Sequence, residues 1–271
     1  MIIRAGYTIS FHCAVVTPML LQLNVHPSRE ADLLTPDVVR STPNLPMDSY
    51  IDLFGNRVTR VEAPPGHVTF MSDFTIRDSG LPDETPPDAP LTPVRELPSE
   101  TLVFLLASRY CDSDNLSDFA WTQFKGIGGG ARLVQAICDF AHSRIRFDYA
   151  AANPRRTASD GLREGVGVCR DFAHLAVALC RAMNVPARYC TGYLGDIGVP
   201  PDPAPMDFSA WFEVFLNGKW YSFDARHNMP RIGRVVMARG RDAADVALST
   251  AFGNAPLQRF EVTTYEEAMA A

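Results

Sequence analysis

Asn217 and Gly218 constrain this chain more tightly than any other pair of residues. They stand between two strand-like runs, Ala210–Leu216 and Lys219–Asp224. Asn-Gly accepts both positive φ angles of a type I′ turn, so the runs are expected to form an antiparallel hairpin with a two-residue loop. The loop length sets the register by counting: Leu216 opposes Lys219, Glu213 opposes Ser222, Trp211 opposes Asp224, and Ser209 opposes Arg226. Side chains alternate along a strand, so Ser209, Trp211, Asp224 and Arg226 share a face, with Ser209 and Asp224 diagonal neighbours about 7 Å apart.

A second constraint lies upstream. Gly165-Val166-Gly167-Val168 leads into Cys169, which opens an apolar-periodic run reaching Met183. A helix N-terminus offers unpaired N–H donors and about half a positive charge, which favour a thiolate, and Arg170 adds a cation. Cys169 is therefore expected to be a nucleophile with a lowered pKa. Asp171, in the first turn, complements the helix dipole. His174 is five residues along, about 140° around the helix from Cys169, and reads as a packed core histidine. Cys180 and Cys190 read as packing residues.

Periodicity divides the chain. Residues 1–80 alternate short strand-like runs with turn signals, as in Tyr7–Cys13, Met19–Val25, Tyr50–Val61 and Val68–Ile76, the pattern of an N-terminal β-sandwich domain. Residues 81–98 contain six prolines and read as a linker. Residues 99–271 begin with helical periodicity at Ser99–Ser108 and Ala131–Ile145, then the Cys169 helix, and return to strands at Ala187–Leu194 and the hairpin. The fold class is α+β.

The 271 residues carry a formal charge of −6, and no basic patch suggests nucleic acid. No run approaches the roughly 20 apolar residues that span a bilayer, and the N-terminus lacks a secretory pattern, so the expected location is cytoplasmic. Six cysteines without close pairs read as reduced thiols. Neither a metal site nor a cofactor is implied.

Several motifs occur in order: Gly167-Val168-Cys169-x-Asp171-Phe172-Ala173-His174, Pro186-Ala187-Arg188-Tyr189-Cys190-Thr191-Gly192-Tyr193, Asp207-Phe208-x-Ala210-Trp211-x-Glu213-Val214 and Trp220-x-x-Phe223-Asp224. Together they resemble the core of the bacterial transglutaminase-like superfamily over roughly residues 100–230. The preceding sandwich resembles the domain that often accompanies that core. The resemblance implies a papain-like Cys/His/Asp triad in which Cys169 attacks an amide carbonyl and Asp224 orients the histidine, acting on a protein or peptide amide, with water or an amine as acceptor. It also puts Trp211 beside a substrate channel, and Arg170 is the second candidate substrate-binding residue.

The family's histidine position holds Ser209. A serine cannot act as a base near neutral pH, and general acid or base help is worth about 10²- to 10⁴-fold in rate. His227 is the nearest substitute in sequence, but an unbroken ladder points it away from Ser209 and Asp224, so it needs a bulge or strand end to reach Cys169. Ser209 is thus compatible with a substitution made to silence the site, with a binding protein that keeps the fold, or with an acyl-transfer enzyme that works without the usual base and favours thioesters. Arylamine-type acyl transfer on the related cysteine-protease-like fold fits the motifs less well. The arginines at 226, 231, 234, 239 and 241 form a loose basic run, read as ion-paired or solvated. The oligomeric state is not encoded in any of these features.

Overall fold

The computed structural model describes residues 1–86 and 88–268. The hairpin is present as expected. Asn217 and Gly218 take φ of 47° and 79°, and β10 (Ser209–Leu216) pairs with β11 (Lys219–Phe223) through Leu216–Lys219 and Glu213–Ser222. The ladder stops at Phe212–Phe223, so the expected pairings of Trp211 with Asp224 and Ser209 with Arg226 do not form. Asp224 ends the strand because its Oδ1 accepts the backbone N–H of Arg226 and of His227, at 3.0 Å each, which curls the chain into a turn.

A sheet and three helices build the core. A four-stranded antiparallel sheet runs β11-β10-β9-β12, with β9 at Ala187–Tyr193 and β12 at Val235–Gly240. The Cys169 helix (Cys169–Ala182) packs on β9 and β10. Two more long helices, Ser117–Phe124 and Gly130–Arg144, flank it. Period-two alternation sorts β10: Phe212, Val214 and Leu216 join Leu175, Val177 and Leu179 in one apolar cluster, while Trp211 and Glu213 face the other side of the sheet, among arginines.

The start of the Cys169 helix is held by its own third residue. Asp171 Oδ2 accepts the N–H of Val168 at 2.8 Å and pairs with Arg156 Nη1 at 3.1 Å, with Asp171 and Arg156 both buried. A Cβ on Gly167 would strike the Asp171 carboxylate, so glycine is required there. Asp171 is therefore a capping and anchoring residue, as its place in the first turn implies.

The N-terminal region is a pair of four-stranded sheets, but not a self-contained one. Strand β1 (Ile2–Cys13) lies between β6 (Gly66–Arg77) and β14 (Leu257–Glu266), and β2 (Thr17–Leu21) lies between β5 (Arg57–Ala63) and β13 (Ser249–Ala251). Both C-terminal strands fall within the stretch read as core, 99–271, yet they complete the N-terminal sheets. Their apolar content gave no hint of partner. The Pro-rich segment is also tied down: Asp83 receives the N–H of Arg231 at 2.9 Å, and Ala89 and Leu91 pack on the helical core. At Ser99–Leu105 the chain forms a 3₁₀ segment, not the expected α-helix, directly after Pro98.

Candidate active site

Cys169 is half-buried at the floor of a groove of about 530 Å³, whose walls include Tyr110, Arg170, Asp207, Ser209 and Leu248. The Cys169 thiol lies against the backbone N–H groups of Ala210 and Arg170, the latter in the helix's first turn. A developing negative charge there meets two main-chain donors. Ala210 comes beside Cys169 because the start of β10 packs against it.

The expected lowered thiol pKa is corrected by the structure. Burial among Ala173, Tyr189, Ala210 and Ala238 pushes the Cys169 thiol up to about 11. Arg226 and the two N–H groups act in the opposite direction, and Asp207 adds to the rise. Desolvation of the anion outweighs the positive helix end. Burial also raises the Asp207 carboxyl above its ordinary value, against a backbone N–H from Phe208 and the charge of Arg226.

A second cavity adjoins the groove, with Asp207, Phe208 and Ser209 common to both; Arg226 and His227 also line it. Ser209 is buried and its hydroxyl has no hydrogen-bond partner. His227 is there because β11 ends early. The turn after Phe223 brings its Nδ1 to 2.8 Å from Asp224 Oδ2, and the same oxygen accepts Arg234 Nη2 at 3.0 Å. Burial works to raise the Asp224 pKa, but the Arg234 charge and the hydrogen bond and charge of His227 hold it well below the usual carboxylate range. His142 Nδ1 meets the Arg226 carbonyl at 2.8 Å and fixes the same turn.

The remaining expected residues divide. Arg170 does line the groove, with its guanidinium donating to the Asn153 carbonyl and 5.6 Å from the Tyr110 ring. Trp211 does not: it is 1% exposed, lies on the opposite side of the sheet, and has Arg234 5.1 Å from its ring. His174 is fully buried, accepts the N–H of Ala243 at 3.2 Å, and stacks on Tyr110. All six cysteines are free. Among the described residues, no helix is long and apolar enough to cross a membrane, and no group of three or more His, Cys, Asp or Glu side chains is arranged to hold a metal.

Residues 120–225 match the family model described as the transglutaminase-like superfamily, a segment that contains Cys169, Ser209 and Asp224 but ends before His227. The crystal structure of a "putative cysteine protease" from Cytophaga hutchinsonii is 29% identical in sequence, with a TM-score of 0.86 over 100% of this chain and 92% of that one. Two curated relatives are uncharacterized: ML0607 of Mycobacterium leprae, 29% identical over 119 residues, and Mb2599c of Mycobacterium bovis, 34% identical over 127 residues. These matches cover 43% and 42% of this chain, and only 42% and 40% of the relatives' own lengths.

Proposed function

We propose, from the match of residues 120–225 to the transglutaminase-like superfamily model, that the chain is a cysteine-dependent acyl-transfer or amide-hydrolysing enzyme. Cys169 forms the thioacyl intermediate, and the Asp224–His227 pair takes over the acid–base work that Ser209 cannot do. The observation that carries this reading is the 2.8 Å contact between Asp224 and His227, with His227 lining a cavity that shares Ser209 with the groove of Cys169.

The Cys169 sulfur attacks the carbonyl carbon of an acyl donor, and its proton passes to the free Nε2 of His227. The carbonyl oxygen, now negative, is stabilised by main-chain N–H groups at the groove floor. Collapse expels the donor's amine, which takes the proton back from His227, and leaves a thioester on Cys169. Water then releases the acid, or an amine completes the transfer; both share the first half-reaction. Asp224, anchored by Arg234, holds His227 in one tautomer and orientation, a positioning role. A thiol that rests protonated favours donors with good leaving groups, thioesters and activated esters ahead of peptides.

The test is acyl-enzyme trapping with a p-nitrophenyl ester and a peptide amide panel, read by intact mass and by product release. The proposal expects a mass shift that is lost in Cys169→Ala and a release rate reduced at least 10²-fold in His227→Gln. A second reading, a binding protein that keeps the groove without chemistry, is favoured by the raised Cys169 thiol. It gains if no acyl-enzyme forms with any donor while a peptide still binds the groove.

A further inference from the structure

One wall of the Cys169 groove is built by the far end of the chain and clasped by its N-terminal region. Ala243, Val246 and Leu248 line the groove, as does Phe260 of β14. Val246 belongs with Ala173, Tyr189, Ala210 and Ala238 to the apolar cluster on which Cys169 packs, and Ala243 packs on it too. Leu248 and Phe260 pack instead on the apolar core of the N-terminal sheets. The groove therefore rests on that core along one side.

The wall is fixed from a distance in sequence. Gln22, directly after β2, donates its backbone N–H to the Leu248 carbonyl at 3.1 Å and its side-chain amide to the Asp245 carbonyl at 3.2 Å. The next residue, Ser249, then pairs with Leu21 where β13 joins β2. Loss of the Gln22 amide loosens the segment that carries Val246 and Leu248 while the strand pairing stays.

Among the described residues only Arg170 and Asp207 bring charge to the groove lining, and the Arg170 guanidinium already donates to the Asn153 carbonyl. A carbonyl brought to the Cys169 sulfur meets the apolar cluster, where a charged acyl group would lose water and gain no partner. We propose that the acyl half of the donor is apolar, an aliphatic chain or an aliphatic amino-acid residue seated against Val246, Leu248 and Phe260, and that Gln22 acts as a positioning residue for this selectivity. The selectivity rests on the acyl-transfer reading for its chemistry and on the groove alone for binding.

The test compares p-nitrophenyl esters of N-acetyl-leucine with N-acetyl-glycine, and of hexanoate with acetate, on the full chain. The leucine pair reads a peptide donor and the hexanoate pair a fatty-acyl donor. In at least one pair kcat/KM is expected to favour the larger acyl group about tenfold or more, since each methylene moved from water onto an apolar wall is worth about fourfold. Leu248→Asn and Gln22→Met should each cut that preference about fivefold or more. A ratio of two substrates on one sample cancels any general loss of folded enzyme. Binding is read separately, by saturation-transfer NMR on Cys169→Ala with N-acetyl-leucinamide and hexanamide against N-acetyl-glycinamide and acetamide, and the larger amide of at least one pair is expected to receive the stronger transfer. If no ester turns over, the acyl-transfer reading fails and this binding preference alone decides the selectivity. A preference below tenfold in both ester pairs, one that either variant leaves intact, or, with no turnover, equal transfer within both amide pairs overturns the proposal.

Discussion

Asp224 and His227 are three residues apart and yet face each other across a 2.8 Å contact, because one carboxylate oxygen stops the strand while the other holds the imidazole. The same side chain therefore sets both the shape of the turn and the orientation of the ring. Loss of Asp224 should remove both effects at once.

Asp224→Asn should cost about 1–3 kcal/mol, since it removes one of the two carboxylates that hold the buried Arg234 and leaves Asp83 as the other. The pH dependence has a defined sign. The folded-state pKa lies below the ordinary carboxylate value, so the stabilisation is complete above about pH 4 to 5 and is lost as pH falls toward the folded value. Denaturant unfolding between pH 2 and pH 7 should show a steep acid limb that flattens in the variant.

Alkylation of Cys169 with a neutral reagent such as iodoacetamide should be slow near neutrality and accelerate as pH approaches about 11. Arg226 favours the thiolate, so Arg226→Gln should raise the apparent pKa. Asp207 opposes it, so Asp207→Asn should lower it. Rates across a pH series, followed by peptide mass, check all three signs.

Ser209→His restores the family's histidine at a position bordering both cavities. If the Asp224–His227 pair already carries the proton, amidase activity should change by less than about tenfold; a gain of 10² or more would assign that role to position 209 alone. Progress curves on a peptide amide separate the outcomes.

Gly167→Ala should destabilise the chain by about 2 kcal/mol or more, because the new methyl meets the Asp171 carboxylate that caps the helix and pairs with Arg156. Thermal unfolding reads the loss. Asp171→Ala in the same background should show a coupling well away from additivity.

His174 sits neutral in the core, its pKa driven well below the ordinary value by burial and then by Arg170 and Arg181. Unfolding lets it take a proton, so its contribution is present above about pH 6.5 and declines as pH falls below that value. His174→Gln, which can still accept the Ala243 N–H, should flatten the stability slope between pH 7 and 5.

The hairpin, its turn and the Cys169 helix were legible because they rest on local chemistry: Asn217-Gly218 permits one turn, and an apolar repeat after two glycines permits one helix start. The turn at Asp224 was not. Continuing the ladder by counting put Ser209 opposite Arg226, whereas the Asp224 carboxylate competes for the backbone N–H groups that the ladder would have used. The thiol pKa was misjudged for a related reason. The helix terminus is visible in sequence, but the burial that outweighs it comes from β9, β10 and β12, which pack against Cys169 only in the folded chain. Alternation had put Trp211 on one face with Ser209 and Asp224, and the resemblance had put it at the channel; in the structure Ser209 lines the Cys169 groove and Trp211 does not.

Strand β1 is paired along both edges, by residues 66–77 on one side and 257–266 on the other. During synthesis one flank of β1 therefore stays open until the strand at residues 257–266, some 240 residues later, has left the ribosome. The helical half can collapse first and the N-terminal sheets complete last, so a chain cut short before residue 257 should carry an intact Cys169 helix beside an open, self-associating sheet edge.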